Sequence, residues 1–333
     1  MRSPYRIVYL RTDRIGDVLM NLPALRALRL SYPKSWITLV ADRPVAELLK
    51  GHPDLDEVMP VDAGALAASG RSRAALRAAL KGGGFDLAIV SNPDRHLHHL
   101  VWASGIGVRL GQDRKWSFLL NKRIPAPVDP ALHEIERNLR LVSAVTSRGW
   151  DGRIELPADA EIERRISERL TAETRGSKSV VLLHTGTSDP RKRWPADRWA
   201  ELGRSLEGRS GCRPVVVGGP EEAAAAAEVR AACPDALDWT GGTTLRELAA
   251  LTRDPRVAAM ISADSGPAHI AWISGCRLVV MYPTDCPGSD PQRWGPRGSA
   301  PTAVIRRSVA DITAEDVLDE WSRLGCSGKG GRA

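Results

Sequence analysis

The run Ala263-Asp264-Ser265-Gly266-Pro267-Ala268-His269 sets an acid, a hydroxyl, a bare backbone and an imidazole between an apolar strand pattern at 257–261 and an apolar helical pattern at 270–273. Strand ends in α/β sheets are where ligands bind, and a helix N-terminus offers unpaired N–H groups and the positive end of its dipole to an anion. Gly266 permits close approach, Ser265 can cap the helix or donate, and Asp264 only accepts when ionised. A capped helix without a ligand is the plain alternative for this run alone. His269 fits either a satisfied core histidine or a ligand contact.

Similar junctions occur elsewhere. In Arg11-Thr12-Asp13-Arg14-Ile15-Gly16-Asp17, Gly16 lets the backbone approach a ligand, and Asp17 opens a helix whose dipole favours its charged form. Asp17 reads equally as an N-cap and as a general base pointed into a cleft. The segment has neither G-x-G-x-x-G nor a P-loop, which disfavours Rossmann-type dinucleotide binding. His184-Thr185-Gly186-Thr187-Ser188-Asp189-Pro190-Arg191-Lys192-Arg193-Trp194-Pro195 joins a glycine and hydroxyls to three successive cations, which is what a pyrophosphate needs. Gly218-Gly219-Pro220-Glu221-Glu222 follows a strand, so a base or ribose can lie against the glycines while a glutamate accepts from ribose hydroxyls. For either glutamate singly, a preference for the first helical turn explains its place as well.

These junctions need strands and helices to position them. Apolar runs predict strands at 6–10, 36–40, 57–61, 86–90 and 108–110, and 3.6-residue periodicity predicts helices at 18–31, 71–80 and 134–145. A polar segment follows, 151–178, with a charged helix at 160–172; it reads as an interdomain connection. The alternation then resumes, with strands at 179–184, 213–217, 257–262 and 277–281 and helices near 196–206, 221–232, 245–252 and 267–274. A last helix starts at Thr313 with a capping-box pattern, and Val317, Leu318, Trp321 and Leu324 form one apolar stripe. The chain thus reads as an N-terminal domain at 1–150, the connection, a C-terminal domain at 179–310, a C-terminal helix at 311–326 and a disordered tail at 327–333. The expected class is α/β, with two Rossmann-like doubly wound domains facing across a cleft.

The length of 333 residues suits two α/β domains or one large one, and either can bury a substantial core. No apolar stretch is long enough to span a bilayer, and the N-terminus reads as a strand, not a signal peptide, so a cytoplasmic location is expected. The five cysteines are scattered without metal-type spacing and read as reduced; Cys286, in a polar loop, is the one to check for reactivity. The net charge of +7 points to an anionic partner. It is concentrated at 95–123, where Arg95, Arg109, Arg114, Lys115, Lys122 and Arg123 face a single acid, Asp113. Trp102, Trp116 and Phe118 are interleaved with them, so the stretch reads either as a solvated face or as a ligand-facing patch. Clustering in two loops, not along one helix or sheet face, disfavours nucleic acid as the partner.

At this point the chain resembles the heptosyltransferases of glycosyltransferase family 9, which have the two-domain GT-B fold. The matching pieces, in the family's order, are Arg14-Ile15-Gly16-Asp17-Val18-Leu19 with Leu22-Pro23-Ala24-Leu25; Gly111 through Leu120 with a later His133; Lys192-Arg193-Trp194-Pro195; Gly218-Gly219-Pro220; and Asp264-Ser265-Gly266-Pro267-Ala268-His269. The resemblance implies transfer of a heptose from an ADP-sugar to a lipopolysaccharide-core or other glycan acceptor, with inversion, no metal and no cofactor beyond the sugar nucleotide. It makes Asp17 the general base and Lys192 a diphosphate ligand. Glu222 or Glu221 becomes the ribose acid, and Asp264, Ser265, Gly266 and His269 become donor contacts, with Thr187 and Ser188 in the donor loop. Arg14, Gly16, Arg95, Arg114 and Lys115 are expected on the side of an anionic glycan or glycolipid acceptor. A lipid-borne acceptor implies transient contact with the inner face of the cytoplasmic membrane. The last helix is expected to pack back on the N-terminal domain. Tyr282 departs from the pattern, because family members usually have glycine before Pro-Thr-Asp. The alternatives are a donor carrying another sugar, a nucleotide-sugar epimerase of similar fold and, outside catalysis, a basic nucleotide- or nucleic-acid-binding protein.

Overall fold

The computed structural model describes residues 5–174, 179–286, 288–298 and 300–325. The expected tail, 327–333, lies outside the described residues. The chain divides into two compact units between Pro157 and Ala158. The charged helix, Ala160–Thr174, therefore belongs to the second unit, where it packs on the helix Leu245–Arg253.

The first unit is a six-stranded parallel sheet: β1 (Arg6–Leu10), β2 (Trp36–Asp42), β3 (Glu57–Val61), β4 (Leu87–Val90), β5 (Val108–Gln112) and β6 (Lys122–Ile124), in the order β3-β2-β1-β4-β5-β6. The second repeats this topology with β7 (Val180–His184), β8 (Arg213–Val217), β9 (Leu237–Asp238), β10 (Val257–Ala263), β11 (Leu278–Met281) and β12 (Thr302–Ile305), in the order β12-β11-β10-β7-β8-β9. Each sheet is doubly wound, and the order reverses between its first and fourth strands, β1/β4 and β7/β10. That switch point opens a crevice at the carboxyl ends of the strands. Covered on both faces, the central strands β4 and β7 are buried along their whole length, which explains their uninterrupted apolar sequence.

Strands β6, β9 and β12 escape the apolar-run reading because they are short and hold exposed residues. The helix expected at 18–31 is two helices, Ile15–Leu19 and Leu22–Ser31. At the break, buried Asn21 accepts from Tyr9 and Ser91 and donates to the Asp17 carbonyl, which fixes the first helix to β1 and β4. Arg95, one of the basic residues expected to cluster in loops, opens the helix Arg95–Ala103, which also carries His96, His98 and His99.

In the last helix, Ala314–Arg323, Val317, Leu318 and Trp321 are buried in the second unit's own core with Trp194, Trp199 and Leu202. Trp194 stacks edge-on against Trp199 at 4.8 Å and donates to the Ile312 carbonyl just before that helix. This anchor fixes the loop carrying Lys192. Among the described residues, no helix is long and apolar enough to cross a membrane.

Candidate active site

Both switch points collect the candidate residues. In the first unit, the chain leaves β1 through Arg11, whose buried guanidinium reaches across to β4, donating to the Ser91 carbonyl and hydroxyl at 3.3 and 3.2 Å. Its remaining N–H groups donate to Asp13 Oδ1 at 2.7 Å and Asp17 Oδ1 at 2.8 Å, and it lies 3.7 Å from the buried Glu134 carboxylate. Asp17 is the third residue of its helix; Arg14 holds the N-cap position and no side chain caps it. The N-cap reading of Asp17 therefore fails.

Burial raises the Asp17 carboxyl above the usual carboxylate range, with Arg11 opposing and Glu134 adding to the shift. Asp13 is pushed up to about 6 by burial, with the Asp17 charge adding against Arg11. A carboxylate with raised pKa, about four-fifths shielded and held by one hydrogen bond, suits proton abstraction. One guanidinium serves three carboxylates, so Arg11 occupies the position of the cation such a cluster needs.

Of the residues expected on the acceptor side, Gly16 is buried beside Asp17 and Arg14 is exposed at the same turn. Arg95, Arg114 and Lys115 are exposed in and beyond the helix Arg95–Ala103. Buried His133 caps the helix Glu134–Val142 by accepting from the Ile135 N–H.

In the second unit, Lys192 Nζ lies 2.5 Å from Asp264 Oδ2, and Ser289 donates to the same oxygen at 2.9 Å. Asp264 follows β10 directly. Ser265 holds the N-cap position of the helix Gly266–Ile273 but does not cap it. Its hydroxyl instead bonds Ser262 at 3.0 Å and His184 Nδ1 at 3.3 Å, joining β7 to β10. Burial lowers the His184 pKa to about 4, so this histidine is neutral in neutral solution. His269 is buried and accepts the Trp272 indole N–H on Nδ1, which puts its ring proton on Nε2.

The successive cations of the loop after β7 separate. Arg191 is spent on Asp189, with two hydrogen bonds of 3.0 and 2.7 Å that hold this carboxyl far below its usual range, while Lys192 turns to Asp264. Thr187 bonds the Asp189 backbone, and Ser188 is exposed beside it. Cys286 is buried against Asp189, and burial and that carboxylate raise its thiol pKa, which removes it as a reactive group. Glu222 lies over two glycines: a Cβ at Gly186 would stand 2.2 Å from its Oε1, and one at Gly218 2.8 Å from its Oε2. Glu221 folds back over Gly219 and is exposed, so Glu222 is the acid presented at the β7–β8 edge. Tyr282 is buried behind Asp264 and donates to the Trp294 carbonyl at 3.2 Å.

Sequence reasoning quoted Arg11 and Asp13 within the first junction without giving either a role, and it missed Glu134 and Ser289. For Arg11 the signal was present, a cation directly after β1. The approach of Glu134, from a distant helix, had none.

Residues 73–321 match the model of glycosyltransferase family 9 (heptosyltransferase). The chain is 26% identical to lipopolysaccharide heptosyltransferase 1 of Salmonella typhimurium, over 84% of this chain and 89% of that one. Its fold matches a solved family 9 glycosyltransferase from Veillonella parvula, with TM-score 0.84, 23% identity and coverage of 97% and 98% of the two chains. It also matches Escherichia coli heptosyltransferase WaaC with ADP-2-deoxy-2-fluoro heptose, with TM-score 0.75, 20% identity and coverage of 96% and 99%. These likenesses, with the two doubly wound units and their switch-point residues, make this a GT-B glycosyltransferase, and the chain belongs to glycosyltransferase family 9, the heptosyltransferases.

Proposed function

We propose that this enzyme moves a heptose, or a closely related sugar, from an ADP-sugar to a glycan acceptor of the lipopolysaccharide-core type, with inversion and without a metal. The observation that carries the reading is the Arg11–Asp17 pair: a largely shielded carboxylate of raised pKa in the first helix after β1, held by a cation that also bonds Ser91 just after β4. In a direct displacement, Asp17 takes the proton of the acceptor hydroxyl as its oxygen bonds the anomeric carbon. The bond from that carbon to the diphosphate breaks, and ADP departs with the electron pair. A base so placed contributes roughly 10²–10⁴-fold. Lys192 and the uncapped N–H groups of the helix Gly266–Ile273 meet the charge growing on the diphosphate, an interaction strongest in the transition state. Glu222 accepts from the ribose hydroxyls, and Arg11 balances the charge of Asp13, Asp17 and Glu134 around the base.

The donor in the E. coli WaaC complex is an ADP-heptose analogue, which supports adenine and heptose here. Tyr282 favours a second version, a different donor sugar, because a buried aromatic ring stands next to Asp264 where family members usually have glycine. Since the proposed acceptor is lipid-borne, the enzyme works from the cytoplasmic side, at the membrane surface. A screen of ADP-, UDP- and GDP-sugars, read as nucleotide release on acceptor addition, tests the reading. ADP release that needs acceptor and disappears in Asp17→Asn is the expected result. Interconversion of a sugar nucleotide without acceptor would replace transfer by epimerisation.

A further inference from the structure

The first unit carries an exposed aromatic and basic face; the resemblance put only its Arg95, Arg114 and Lys115 on the acceptor side, and its rings, Lys122 and Arg123 have no part in the proposed transfer step. Trp102, Trp116 and Phe118 are 50%, 44% and 71% exposed. Isolated apolar side chains on a surface need no explanation, but these gather on adjoining elements. The helix Arg95–Ala103 turns Arg95, His99 and Trp102 outward at i, i+4 and i+7, along one face. The turn Ser117–Leu119 packs against that helix, and the Trp116 and Phe118 rings lie 6.3 Å apart on it. Arg114 and Lys115 precede these rings, and Lys122 and Arg123 follow on β6, the outer strand of the sheet. Asp113 is the lone acid of the stretch, and its pairing with Arg123 is loose, 3.8 Å between half-exposed groups.

We propose that this face seats the enzyme on an anionic bilayer, with the Trp116–Phe118 turn and Trp102 entering the headgroup layer and the surrounding cations held by lipid phosphates. Indole and phenyl rings settle at the membrane–water interface, and each Lys or Arg near an anionic leaflet adds attraction that salt screens. Charge complementarity favours lipid over an acidic protein surface, which would leave three large rings in water. Docking of this kind presents the active site to a lipid-borne acceptor; in that respect the proposal rests on the functional reading above, but its test does not.

The test is cosedimentation of the full chain with phosphatidylcholine vesicles, with and without phosphatidylglycerol, across a salt series. Comparison proteins are the double variants Trp116→Ala/Phe118→Ala and Lys122→Glu/Arg123→Glu, both at exposed positions. The parent is expected to bind only the anionic vesicles, less as salt rises. Each double variant should lose about tenfold or more of its vesicle affinity while keeping the parent's ADP affinity and circular dichroism. Equal binding to vesicles lacking phosphatidylglycerol, or full binding by both variants, overturns the proposal. So does an oligonucleotide that binds the parent as tightly and loses affinity in the same variants, because the face would then serve nucleic acid. Loss of sugar transfer activity, by contrast, bears only on the catalytic reading.

Discussion

The Lys192 ammonium and the Asp264 carboxylate form an ion pair of 2.5 Å, joining the loop after β7 to the end of β10 across the switch point of the second sheet. Both groups are largely buried, with side chains 14% and 7% exposed. Under the proposed function, an arriving diphosphate would meet a lysine already positioned, not one free to wander.

That pairing makes Lys192→Ala costly twice. The Asp264 charge is left buried without a cation, a loss of about 3–5 kcal/mol when one partner of such a pair is removed. The same bare carboxylate then repels the diphosphate. Calorimetry with ADP and thermal unfolding should show weaker binding, slower turnover and a lower Tm together. Asp264→Asn added to Lys192→Ala is expected to recover most of the lost stability but none of the turnover. Unchanged ADP affinity in Lys192→Ala would show that the lysine does not meet the diphosphate.

Asp17→Asn is expected to reduce transfer by about 10²–10⁴-fold with little change in donor affinity, because the amide keeps the shape of the carboxylate and cannot take a proton. Turnover within about tenfold of the parent would remove Asp17 as base. The pH profile of kcat/KM adds a second check. Since burial raises the Asp17 pKa, activity should climb with pH through a limb lying above the usual carboxylate range. Asp13→Asn removes a neighbouring negative charge, so in that variant the limb should move to lower pH.

The strands that hold these residues were legible because parallel strands covered on both faces read as apolar runs, as β4 and β7 do. The short outer strands carry no such signal: β6 is Lys122-Arg123-Ile124 and owes its existence to pairing with β5. Loops directly after a strand were legible for the same reason that Asp17 and Asp264 were, since polar types stand where a sheet ends. Glu134 was not, because a tertiary contact between a first-strand loop and a helix more than a hundred residues on leaves no local pattern. The apolar stripe of the last helix was plain for a like reason, a helical period of buried residues, and Val317, Leu318 and Trp321 carry it into the second unit's core.

Glu222 over Gly186 gives a stability-neutral route to the nucleoside contact. A methyl group at Gly186 would meet the end of the Glu222 side chain, which is flexible, so Gly186→Ala should cost the fold less than about 1 kcal/mol while moving the carboxylate. Its effect should match that of Glu222→Ala. If the carboxylate accepts from ribose, each variant loses a hydrogen bond to a charged group, about 1.5–3 kcal/mol of ADP affinity. Inorganic pyrophosphate, which lacks ribose, should bind both variants as it binds the parent. Equal weakening for ADP and pyrophosphate would place Glu222 at the phosphates' expense and not at the sugar.

Arg11→Ala tests the charge balance of the first switch point. The substitution leaves Asp13, Asp17 and Glu134 together without their guanidinium, and a loss of about 3–5 kcal/mol is expected near neutral pH. The sign of its pH dependence follows from linkage. A carboxyl whose folded pKa exceeds its unfolded value binds more protons in the folded state, so stability falls as pH rises between the two. In the parent this window runs for Asp13 from its ordinary 3.8 up to about 6. Without Arg11 the attraction that opposes burial disappears, the carboxyls rise further, and the window extends to higher pH. Urea unfolding should therefore show a stability deficit in Arg11→Ala that is small near about pH 5 and grows by about pH 7.5. A deficit of equal size at both would mean that Arg11 acts through its bonds to Ser91 rather than through its charge. Arg11→Lys separates these roles again, because the ammonium keeps the charge but cannot span Asp13, Asp17 and Ser91 with one planar fork. It should hold most of the neutral-pH stability yet turn over slowly, since Asp17 is then no longer aimed.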